Sequence, residues 1–207
     1  MTFSRSSQPP LHRVGGNLAL DFANTVSWRA TDRETDHIAD PDGLLRWAAD
    51  SGLIADNIDF PADALATAHA LRKAIRAVME AAIVQEERPQ ETAVILDVFG
   101  RCLESAHLGG IPARILFHAS AAKIFGPIAL AAIDLLRGDT RGRLKMCPQD
   151  NCHWLFLDMT KNASRRWCDM ASCGNRAKVA HFRERGAVGP NLRPSRRRQS
   201  THGPETS

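Results

Sequence analysis

KMCPQDNCHWLFLDMTKNASRRWCDMASCGNRAK, residues 145–178, holds four of the five cysteines of a 207-residue chain. Cys147, Cys152, Cys168 and Cys173 follow the spacing C-x4-C-x15-C-x4-C. Two pairs that each close a short loop, separated by about fifteen residues, are what a tetrahedral four-thiolate zinc site requires. Pro148, Asp150 and Asn151 are turn formers between the first pair. Leu155-Phe156-Leu157 is strand-like, Asn162-Ala163-Ser164 turn-like, and Asn175 to Arg185 has helical character. The expected order is knuckle, hairpin, helix. Trp154, Phe156 and Trp167 are most of the apolar mass in this segment. One structural Zn2+ is therefore expected to supply much of its folding free energy, on the order of 10 kcal/mol.

Charge divides the chain at about the same place. Residues 1–140 carry 13 Lys/Arg against 18 Asp/Glu, a net of −5, whereas residues 141–207 carry 14 against 5, a net of +9. A basic segment around a zinc site is the electrostatic footprint of a polyanion binder. Arg143, Lys145, Lys161, Arg165, Arg166, Arg176, Lys178, Arg183 and Arg185 lie in it, and guanidinium groups bond phosphate oxygens bidentately. At about 100° per residue, Arg176 and Arg183 fall on one edge of a Val179/Phe182 stripe and Lys178 on the other, so the stripe is expected to pack inward. The competing reading makes these charges a solvated face whose stems cover a small core. Arg196-Arg197-Arg198 would add nonspecific phosphate contact.

The rest is expected to be a mainly α domain, α+β in class through one small β element. Short helices are expected over 17–26 and from Asp40-Pro41 to Gly52, with the aspartate as cap and the proline at the first helical position. Leu65, Ala68, Leu71, Ile75, Val78 and Ala82 mark a long helix over about 62–87, and Val94 to Leu103 a fourth over about 91–106. Ala113–His118 reads as one arm of a hairpin, its partner undefined, and Pro127–Arg137 as a last helix. Gly138 to Gly142 reads as a hinge. The expected division is an arm over 1–14, a front domain over 15–140, the zinc module over 141–185, and a disordered basic tail over 186–207. Met1–Arg13 has no secretory pattern, and Ile124–Leu136 is broken by Pro127 and Asp134, short of the ~20 residues of a membrane span. A cytoplasmic protein without membrane contact is expected, and its cysteine usage suits a metal site better than disulfides.

Ser164-Arg165-Arg166-Trp167-Cys168 and Cys173-Gly174-Asn175-Arg176-Ala177-Lys178, with Cys152 to Asp158, resemble the CGNR zinc finger family. Gly15-Gly16-Asn17-Leu18-Ala19-Leu20-Asp21-Phe22-Ala23-Asn24-Thr25-Val26 resembles the opening of the ABATE domain that precedes such fingers. The resemblance implies a treble-clef-like zinc fold that binds DNA and a stress-related transcription regulator whose front domain is the sensor. Arg165, Arg166, Arg176, Lys178 and Arg183 are the candidate DNA contacts. A finger binding protein or RNA is the alternative.

Asp21, Asn24 and Thr25 are polar residues inside an apolar segment, and either line a ligand pocket, for a small molecule or a partner protein, or bond local backbone. His69, Arg72 and Arg76 share a helix face that could meet an anion or only solvent. His153 or His181 could replace one thiolate at zinc, and the site could respond to oxidation. Cys102 reads as a small core residue. Four thiolates leave zinc no open position, and the sequence lacks a Gly-rich phosphate loop, HExxH or nucleophile elbow, so no enzyme is expected. One finger reads few base pairs, which favours a homodimer.

Overall fold

The computed structural model describes residues 11–55 and 61–187, with side chains as far as Arg183. The first ten residues of the expected arm, and the tail from 188 with Arg196-Arg197-Arg198, lie outside the described residues. The front part has helices α1 (Leu18–Ala23), α2 (Pro41–Asp50), α3 (Ala64–Ile83), α4 (Pro89–Leu103) and α5 (Ser120–Arg137). Two antiparallel pairs interrupt them, β1 (Val26–Ser27) with β2 (Thr35–Asp36) and β3 (Ala106–Gly109) with β4 (Arg114–Phe117). The zinc segment adds β5 (Leu144–Met146), β6 (Leu155–Leu157), one π-helical turn (Met170–Gly174) and α6 (Asn175–Ala187). Among the described residues the fold is mainly α with three small sheets. No helix among the described residues is long and apolar enough to cross a membrane.

Capping explains where the early helices start. Asn17 Oδ1 accepts from Ala19 N–H to open α1, and Asp40 Oδ1 accepts from Gly43 N–H to open α2, with Pro41 just inside. Although only six residues long, α1 lies at the centre: Ala19, Leu20, Phe22 and Ala23 are all inaccessible to solvent. It packs on α3, α5 and β6, and Phe22 meets Trp47 of α2 with ring centroids 5.0 Å apart. A helix this short is not stable alone, and tertiary burial holds it.

Four expectations need correction. The fourth helix, expected to about residue 106, ends at Leu103, and Ala106–Gly109 is the partner of the 113–118 strand. Helix α5 begins at Ser120 and contains Pro127, where the sequence suggested a start. Gly126, just before the proline, lets the Phe117 ring of β4 lie against the helix. In the zinc segment, β6 pairs with β5 before the first cysteine pair rather than with residues after it, through Leu144↔Leu157 and Met146↔Leu155. The knuckle is thus the tip of the hairpin. Finally, residues 11–14 are not a free arm: Leu11 packs on the main core and Val14 on the cysteine cluster.

The two parts share a core. Leu144 and Leu155 belong to the same buried cluster as Leu20, Phe22 and Ile128, while the cysteines and Phe156 form a second, smaller cluster. The segment read as a hinge therefore connects parts that are packed together.

Candidate metal centre and basic face

The hairpin tip presents Cys147 and Cys152, and the turn ahead of α6 presents Cys168 and Cys173. Asp169 shapes that turn by accepting from Ala171 N–H and Ser172 N–H at 3.2 and 2.9 Å. A Cβ on Gly174 would displace the flexible end of the exposed Met170 side chain and crowd the Trp167 ring. The four sulfurs are buried and lie within 4.8 Å of one another, with Cys152–Cys168 and Cys168–Cys173 at 3.5 Å. A tetrahedron with Zn–S of about 2.3 Å needs sulfurs about 3.8 Å apart. The cluster fits one zinc ion.

The protonation chemistry of the four thiols points the same way. Hydrogen bonds from Cys147, Cys152 and Cys168 draw the Cys173 thiol down, helped by Arg176, and Cys168 is pushed up by its three neighbours. Thiols packed this closely lose all four protons only when a cation takes their place. Neither His153 nor His181 belongs to the cluster.

Around the sulfurs, several residues read from sequence as surface charge face inward. The Arg165 guanidinium donates to the carbonyls of Val14 and Trp167 at 2.8 and 3.0 Å and to that of Cys168, and lies 4.6 Å from the Phe156 ring centroid. Arg176 donates to Cys173 Sγ at 2.9 Å and stacks on Trp28 at 4.6 Å. Arg143 donates to the carbonyls of Asp158 and Thr160. Lys145 Nζ pairs with Asp158 Oδ2 at 2.8 Å. Asp158 is fully buried and also accepts from Thr160 and from Arg165 N–H. Burial alone would raise its pKa, but these donors hold it well below the usual carboxylate range. The Lys145–Asp158 brace went unread in the sequence; the only signal was one acid closing the Leu155-Phe156-Leu157 strand.

Of the candidate DNA contacts, Arg166, Lys178 and Arg183 are exposed, and Lys161 joins them. Arg165 and Arg176 are anchored in the protein instead. The Val179/Phe182 stripe does not pack inward: these residues are 49% and 71% exposed.

The candidate ligand residues serve the backbone. Asn24 Nδ2 donates to Leu155 O and Asn24 Oδ1 accepts from Leu155 N–H, both at 2.8 Å, closing α1 onto β6. Thr25 Oγ1 donates to Phe22 O and accepts from Arg72. Asp21 accepts from Gly15 N–H, with its pKa raised chiefly by burial. Asn24 and Thr25 are fully buried and bonded within the protein, whereas Asp21 is only partly buried. His69, Arg72 and Arg76 are partly buried and engaged within the protein: His69 Nε2 bonds Ile38 O, Arg72 pairs with the Asp36 carboxylate, and Arg76 donates to His153 O and pairs with Glu80. Cys102 is buried in the core, as read, and burial pushes its thiol up.

Two family models match the chain. That of ABATE, described as "Putative stress-induced transcription regulator", covers residues 16–139, and that of the CGNR zinc finger covers residues 143–186. No curated protein matches it.

Proposed function

Because the chain belongs to the ABATE family and carries a CGNR zinc finger, we propose that it regulates transcription in the cytoplasm by binding DNA through the zinc module in response to a signal received by the front domain. One observation carries the reading. Helix α6 starts at the metal site and stands off the body, with Lys178 and Arg183 exposed on it and Lys161 and Arg166 exposed on the loop before it. Exposed cations around a helix that the metal site would anchor at its base suit a treble-clef-like finger straddling phosphates. Four thiolates would complete zinc's shell, so the metal's role is structural and the protein's chemistry is recognition rather than catalysis. A homodimer would double the contacts one finger can make.

Salt titration of zinc-loaded protein against duplex DNA is the test. Affinity should fall steeply with salt, and each of Arg166→Ala, Lys178→Ala and Arg183→Ala should lower the slope of log K against log salt by about 0.9 per lost phosphate contact. No DNA affinity at low salt, with zinc bound at one per chain, would overturn the reading. A second reading, a finger that docks on protein, is favoured by exposed Val179 and Phe182. It requires binding that survives salt and is lost on Phe182→Ser.

A further inference from the structure

A cavity of about 320 Å³ lies between the loop after β1 and the zinc shell. Trp28 and Trp154 line it, as do Leu11 and Val14 from the segment ahead of α1, and Cys152, Cys168 and Cys173 form its metal-side wall. We propose that this cavity is the sensor site, and that it takes a small uncharged aromatic molecule bearing one hydrogen-bond donor, such as a phenol. The inference deepens the sensing half of the proposed function and rests on it, moving the ligand away from Asp21, Asn24 and Thr25.

Size, walls and charge all select this class. Two indoles and aliphatic side chains make the lining mostly apolar, as in small-molecule sites generally. The volume is about twice the ~150 Å³ apolar cavity that admits benzene, enough for one or two fused rings. Charged ligands are disfavoured in both signs: four thiolates around one zinc carry a formal charge of about −2 behind one wall, and the Arg176 guanidinium stands in another. Of the ionisable groups in the lining, Arg176 is engaged with Cys173 and Trp28, Asp169 with Ala171 and Ser172, and His37 with Ser27, while His12 stands at the rim. The neutral side chains of Ser27, Asn151 and Ser172 are in the lining, so a hydroxyl on the ring has polar partners there.

Trp28 connects the site to its output. It holds a left-handed backbone, φ 54°, unusual for a bulky residue, and its ring carries the Arg176 guanidinium that opens α6 and touches Cys173. A molecule seated on Trp28 meets the zinc shell and the root of the basic helix together. By linkage, whatever it does to DNA affinity, DNA does equally to its own.

The test uses zinc-loaded full chain without DNA, so its outcome is separate from that of the salt titration. 4-Fluorophenol, followed by fluorine NMR, should bind saturably at one per chain, show Overhauser contacts to the Trp28 and Trp154 indoles, and slow zinc transfer to a chelator. 4-Fluorobenzoate and 4-fluorobenzylamine, its charged analogues, should bind at least tenfold more weakly. Ser172→Phe, which fills the cavity from an exposed position, should abolish binding while retaining zinc. Should that variant lose zinc, the Overhauser contacts in the unaltered protein decide. Absence of saturable binding, contacts elsewhere, or equal affinity for a charged analogue overturns the proposal.

Discussion

Arg165 and Arg166 are neighbours in sequence and opposites in role. The first is held by three carbonyls and the Phe156 face, the second is exposed beside Trp167, 5.1 Å from its ring centroid. Arg165→Ala would leave the Val14, Trp167 and Cys168 carbonyls short of a donor and remove the cation over Phe156, costing about 2–3 kcal/mol. Arg166→Ala should stay within about 0.5 kcal/mol of the parent. Chemical denaturation of zinc-loaded protein checks both, and equal losses would remove the distinction. One of the pair turns inward and the other stays exposed. The sequence could not say which, because the deciding acceptor, Val14 O, is 151 residues away. The metal ligands were legible for the reverse reason: thiolate chemistry and loop closure act locally, and the spacing alone defines them. Asn24 and Thr25 were legible as unusual, but whether a buried amide meets a ligand or a strand depends on Leu155, which the chain brings up only on folding.

At the level of elements, the apolar spacing placed α3 and α4 well and misplaced the start of α5. Proline is favoured at the first position of a helix, which made Pro127 resemble a start. In the fold it sits about two turns inside α5, next to a glycine against which the Phe117 ring packs. A Cβ on Gly126 would stand 2.5–2.7 Å from the Phe117 ring, so the β3–β4 hairpin docks on α5 through that gap. Gly126→Ala should destabilise by about 1–3 kcal/mol through overpacking, although alanine is the better helix former. Thermal unfolding measures it, and an alanine variant as stable as the parent would show that the ring moves aside freely. Combining it with Phe117→Ala should recover most of the loss attributable to the clash. Hairpin β3–β4 itself was half legible: Ile115 and Phe117 are partly buried and alternate with exposed Arg114 and Leu116, whereas β3, with His107 and Leu108 exposed, has no alternation to read. The β5–β6 pairing was missed because three-residue strands carry too short a pattern to identify their partner.

Across the whole molecule, the zinc module completes the front domain rather than trailing it. Leu144 and Leu155 are buried in the main core, Trp154 Nε1 donates to Val26 O at 2.8 Å, Leu157 N–H donates to Gly15 O, and Arg76 reaches His153 O. The charge division hid this, since it separates surfaces and says nothing of the shared interior. Zinc binding in such modules is worth about 10 kcal/mol or more, and here β6, held at the knuckle by two of the ligands, covers α1. Removing zinc at neutral pH with a chelator should therefore loosen the front domain as well as the finger. Amide exchange at Leu20 and Phe22 should accelerate together with exchange at Leu155, and the zinc-loaded protein should unfold in a single transition. Asn24→Ala tests the same coupling from the other side: it strips Leu155 of both partners in a buried setting, at a cost of about 2–4 kcal/mol. By linkage it should also weaken zinc binding, although Asn24 touches no sulfur. Two separate transitions, with α1 protection unchanged by chelation and zinc affinity unchanged by Asn24→Ala, would mean that the finger and the bundle fold independently and that a signal in one has no route through this core to the other.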